Sequence, residues 1–99
     1  MKRHNLDLIN KKYSEEELEE NINSFNEDDW YWISQDQKLS KKFIEKYLDK
    51  VDWLNISKDQ KLSENFIEKH SDKLEWNYIS AYQKLSKGFI EKNLNKIRS

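Results

Sequence analysis

Residues 53–75 read WLNISKDQKLSENFIEKHSDKLE, and the same unit stands on either side: WYWISQDQKLSKKFIEKYLDKVD at 30–52 and WNYISAYQKLSKGFIEKNLNKIRS at 76–99. No insertion or deletion disturbs the spacing, which is 23 residues from Trp30 to Trp53 and from Trp53 to Trp76. A fixed period in the twenties marks a stacked array, in which each unit buries its apolar side against its neighbours. The expected fold is therefore all-α: a small α-solenoid of three helix–turn–helix repeats (30–52, 53–75 and 76–99). Residues 1–29 are expected to form an acidic N-terminal helical cap, a degenerate first unit.

Within a unit, two helix starts are legible. The first lies at the Trp, with Asp29, Asp52 or Glu75 just before it as N-cap or first-turn acid. Val51 with Ile56, and Leu74 with Ile79, have the spacing of a hydrophobic staple across that start. The second helix follows Ser40, Ser63 and Ser86, where Leu39 with Ile44, Leu62 with Ile67, and Leu85 with Ile90 repeat the staple. On a helical wheel Trp53, Ile56 and Gln60 share one side, while Phe43, Ile44, Tyr47, Leu48 and Val51 form one wide stripe. The middle unit carries His70 and Ser71 in place of Tyr47 and Leu48, which predicts the softest packing there. Ser34, Ser57 and Ser80, and Gln37, Gln60 and Gln83, recur in register. They are expected to satisfy orphan backbone groups or to bridge adjacent units. In the first 29 residues, Ser14 and Glu17 have capping-box spacing, with Leu18, Ile22 and Phe25 at helical intervals behind them. Leu6 to Tyr13 is expected to add a turn or short helix.

Composition narrows the function classes. Apolar residues make up 35% of the 99 and charged residues 37%, so the core must come from the 13% of aromatics that recur at fixed places. With no proline and only Gly88, helices end at local capping signals. The absence of cysteine excludes disulfides, thiolate catalysis and sulfur-ligated metal. The two histidines, His4 and His70, lie in different segments and outside any ligand-spaced cluster, so no metal, cofactor or enzymatic activity is expected. The start, MKRHNLDLIN, lacks the apolar stretch of a signal peptide, and no run approaches membrane-spanning length; the expected location is the cytoplasm of a cell or infected host.

The motif W-x-x-I-S-x-x-Q-K-L-S-x-x-F-I-E-K, closed by Lys and an aliphatic residue, covers residues 30–97. It resembles a short tandem repeat of proteins from phages, giant viruses and low-GC bacteria. The resemblance implies a viral or mobile-element setting. In that setting a small protein is expected to bind and block a host protein, such as a defence nuclease in the manner of an anti-CRISPR. It says nothing about the acidic first segment.

Protein binding is the leading expectation. In a repeat array the recurring positions hold the stack, and the varying ones are free to specialise. Several of the varying ones are aromatic: Tyr31, Trp32, Tyr78 and Tyr82. Trp32 and Tyr78 occupy equivalent places on one side of the first helix, and the four are expected to form one ridge. Exposed Trp and Tyr are the residues most enriched in interface hot spots. A second mode uses the acidic surface of Glu15, Glu16, Glu19 and Glu20 as a mimic of nucleic-acid phosphates. A nucleic-acid-binding helix–turn–helix array is a further alternative, with less support. Net charge is only −1, arginine occurs only at Arg3 and Arg98, and Glu45, Glu68 and Glu91 follow the apolar pair of each second helix. Charge is unevenly spread: residues 1–29 hold four basic against nine acidic residues, and residues 30–99 fourteen against ten. The last unit shows no cap beyond its polar final turn. The chain is thus expected to be a monomer or a weak homo-oligomer.

Overall fold

The computed structural model describes residues 3–98. They form α1 (Glu15–Glu20), a 3₁₀ turn (Ile22–Ser24), α2 (Glu27–Asp36), α3 (Lys41–Lys46), α4 (Trp53–Asp59), α5 (Glu64–Lys69), α6 (Trp76–Tyr82), α7 (Lys87–Lys92) and α8 (Leu94–Ile97). No strand occurs among the described residues. Helix α4 packs against both α2 and α6, so the first helices of successive units lie side by side. The pile measures 48 × 20 × 20 Å with a radius of gyration of 14.6 Å. A globular chain of this length has a radius near 13 Å, so the protein is elongated along the stacking direction.

Each helix boundary has a local cause. Ser40, Ser63 and Ser86 sit in extended conformation, and each Oγ accepts the N–H three residues on, from Phe43, Phe66 and Phe89. Ser14 and Glu17 form the reciprocal capping box that opens α1. The first helices end without glycine: Gln37, Gln60 and Gln83 take φ near −90° with ψ of 144–148°. Their backbone N–H groups still close the last turn on Ile33, Ile56 and Ile79.

Three details differ from the sequence reading. First, α2 does not begin at Trp30. Asn26 is the N-cap, accepting the Asp29 N–H, so the helix gains a turn. Asp29 becomes its third residue and completes a capping box with the Asn26 N–H. Asp52 caps α4 through its side chain, whereas Glu75 makes no such bond to α6. Second, α3 stops at Lys46, and the apolar stripe continues through a turn in which Tyr47 O receives the N–H of both Lys50 and Val51. The equivalent turn after α7 closes into α8. Third, the middle unit is not soft at His70. That imidazole is buried, 4.6 Å from the Phe66 ring and 5.8 Å from Trp53, and its Nε2 lies 2.9 Å from Glu45 Oε2. An aromatic-sized side chain with its own polar partner fills the place of Tyr47.

The core runs the length of the pile. Ile33, Ile56 and Ile79 are fully enclosed, and the rings of Trp30, Trp53 and Trp76 lie 6.2–6.4 Å from Phe43, Phe66 and Phe89. The Trp53 and Trp76 indole N–H groups donate to Leu48 O and Ser71 O, so each half-buried ring is anchored at its polar edge.

Candidate functional site

The recurring polar residues lie in the seams between units. Gln60 Nε2 donates to Ser34 O (2.9 Å) and Gln37 O (2.7 Å), and its Oε1 accepts from Leu39 N. Gln83 repeats all three bonds one unit later, with Ser57 O, Gln60 O and Leu62 N. Gln37 makes the same three to residues of the cap: Leu8 O, Lys11 O and Tyr13 N. Ser34 and Ser57 Oγ accept the N–H of Asp52 and Glu75, one unit on. These bonds join backbone groups that the helix ends leave unpaired.

Charged side chains form a second set of rungs. Lys46, Lys69 and Lys92 pair with Glu19, Glu45 and Glu68 of the preceding unit at 2.6–3.0 Å. Glu15 holds the N–H and hydroxyl of Ser40, and Glu64 holds those of Ser86 at 2.6 and 3.1 Å. In the middle seam the corresponding residue is Lys41. It lines a cavity of about 160 Å³ with Leu39, Ile44, Leu62, Ser63 and Phe66. That seam instead has Glu45 bonded to both His70 and Lys69. The His70 and Lys69 hydrogen bonds hold the Glu45 carboxyl below its usual pKa.

The acidic candidates divide accordingly. Glu15 and Glu19 face the following unit and are engaged there, while Glu16 and Glu20 are exposed. Residues 3–29 carry a further cluster that the sequence did not reveal. Asp29 is buried and accepts from Arg3 at 2.7 Å, with His4 Nε2 3.1 Å away. Burial opposes ionisation of Asp29, but the Arg3 hydrogen bond, the Asn26 N–H and His4 outweigh it, so its pKa is lowered. Beside this cluster an open notch of about 450 Å³ is lined by residues 3–6 with Glu20, Asn21, Asn23 and Ser24.

The aromatic candidates form two pairs rather than one ridge. Tyr31 is 42% exposed and meets the half-buried Trp32 edge to face, centroids 5.1 Å apart. Tyr82 is 58% exposed and stacks on Tyr78 at 6.0 Å, with Lys58 Nζ 5.9 Å from its ring. Trp32 leans on the core beside Leu8 and Ile9. Between the pairs the equivalent position is Asn55, which is buried and donates to Tyr31 O. Among the described residues no ring contact links the two pairs.

No group of His, Asp and Glu among the described residues is placed to hold a metal ion, and none of their helices is long and apolar enough to cross a membrane. Comparison with known protein families, curated proteins and solved structures gave no match to this chain.

Proposed function

We propose that this chain is a non-enzymatic protein-binding module that docks through its aromatic pairs, Tyr31 with Trp32 and Tyr78 with Tyr82. One observation carries the reading. The recurring Gln side chains all lie in the seams and serve the stack, whereas two tyrosines at varying positions, Tyr31 and Tyr82, stay exposed with neighbouring rings beside them. Rigid aromatic side chains give large contact area for little loss of rotamer freedom, as hot-spot residues do.

The repeat's resemblance to phage, giant-virus and low-GC bacterial proteins supports a narrower form: an inhibitor, encoded by a phage or mobile element, that binds and blocks a host protein such as a defence nuclease in the cytoplasm. The acidic-mimic alternative loses ground because Glu15 and Glu19 hold Ser40 and Lys46. The test is affinity capture from host extract, followed by titration of the purified partner against the Tyr31→Ala, Tyr82→Ala double variant. A loss of at least tenfold in affinity with an unchanged melting temperature is expected. Unchanged affinity refutes the aromatic surface. Binding that instead fails for Glu16→Gln, Glu20→Gln and weakens with salt assigns it to the acidic face, and a gel shift with DNA or RNA at two salt concentrations assigns it to nucleic acid.

A further inference from the structure

The last unit presents a face that its two predecessors cover. Ile44 and Ile67 are 1% and 0% exposed because the next unit packs on them; Ile90, at the same position, is 38% exposed. Ser34 and Ser57 are enclosed and accept an N–H from one unit on, whereas Ser80 is exposed and turns its hydroxyl back to Asn77 O. Leu94, four residues after Ile90 in the chain, is also exposed. The end face thus repeats the chemistry of the internal seams: an isoleucine knob, a serine, and the Ser80 and Gln83 carbonyls at the positions that receive a glutamine amide elsewhere.

Charge decides what fits. Residues 76–98 carry five basic side chains against one acidic, and residues 3–29 carry nine acidic against three basic. Two copies joined last unit to last unit would oppose two strongly basic surfaces. Joined head to tail, they oppose basic and acidic ones. The acidic end also holds the open notch beside Glu20.

We propose that a second copy of this chain occupies the face around Ile90, head to tail, with its acidic residues 3–29 against the basic, apolar end of residues 76–98. The contact continues the stacking of units inside one molecule and is heterologous, so it does not close at two, and it extends into linear oligomers unless the rotation between copies closes a ring. The contact is confined to one end of a pile 48 Å long and 20 Å across, so it is small beside a standard stable interface. A contact of this size is expected to be weak.

Sedimentation equilibrium and small-angle scattering of the full chain test this from about 20 µM to about 1 mM protein, at about 20 mM and about 500 mM salt. Mass is expected to rise with concentration, the longest dimension to grow in steps near the 48 Å length of one copy, and both to fall in high salt. Ile90→Glu, with Leu94→Glu as a second variant of the same face, and the Glu16→Lys, Glu20→Lys double variant should each weaken association at least tenfold. All four positions are exposed, and far-UV circular dichroism verifies that the helices persist. Because each variant keeps one intact end, a mixture of Ile90→Glu with the Glu16→Lys, Glu20→Lys variant should form one-to-one dimers and nothing larger. A chain that stays monomeric at the highest concentration in low salt overturns the proposal. So does association that stops at two and ignores the acidic substitutions, or a mixture that does not pair.

Discussion

The middle seam and its two neighbours join the same kind of unit with different chemistry. In the outer seams a glutamate, Glu15 or Glu64, holds both polar groups of the next helix-capping serine, and a lysine–glutamate pair stands a turn away. In the middle seam Lys41 occupies the glutamate position, Ser63 has no such carboxylate, and Glu45 gathers both His70 and Lys69. The glutamine clasp is common to all three. A repeat array thus separates what it must keep from what it can exchange: the clasp satisfies buried backbone, while the peripheral ion pairs trade places.

Removing the clasp gives the largest effect. Gln60→Ala leaves Ser34 O, Gln37 O and Leu39 N without partners in a buried place, and should cost about 3 kcal/mol in equilibrium denaturation. Gln83→Ala should cost about half as much, because its surroundings are half open and water replaces the lost partners. Equal losses at the two positions would show that position in the stack is irrelevant.

A smaller, pH-dependent effect belongs to the middle seam. The folded pKa of Glu45 is lowered from 4.5, so its contribution is present above that value and disappears as pH falls through the folded pKa. Thermal melts between pH 6 and pH 3 should therefore drop less steeply for Glu45→Gln than for the wild type. Parallel curves would exclude Glu45 as a contributor. Asp29 titrates in the same direction, so Asp29→Asn provides the matching control at the cap.

The smallest effect is a gain. Lys41→Glu places a carboxylate where Glu15 and Glu64 already hold Ser40 and Ser86, and should stabilise the chain by about 0.5–1 kcal/mol. A loss would mean that the attraction of Lys41 for Glu45, which helps keep that carboxyl ionised, outweighs the new bonds to Ser63.

The all-helical fold was legible because its signals are local. Serine caps lie three residues from the N–H they satisfy, staples five residues apart, and the period repeats them in one register. Gln37, Gln60 and Gln83 were recognisable as bridging residues, since a polar side chain present in every unit serves the unit. The carboxylate rungs were not legible, because Glu15–Ser40 and Glu45–His70 join residues 25 apart. Whether they meet depends on the rotation between units, which no spacing encodes. The Arg3–Asp29 pair spans 26 residues and was hidden for the same reason. Among the aromatic candidates, spacing placed Trp32 and Tyr78 on one side, but the identity of Asn55 between them, buried rather than exposed, divides that side in two.

Each of the three recurring glutamines grips the segment that precedes it in the chain: Gln37 holds Leu8 and Lys11, Gln60 holds Ser34 and Gln37, and Gln83 holds Ser57 and Gln60. During synthesis the earlier segment leaves the ribosome first. No clasp of this kind therefore waits for a segment made after it, and the order of synthesis is also an order in which the seams can be fastened.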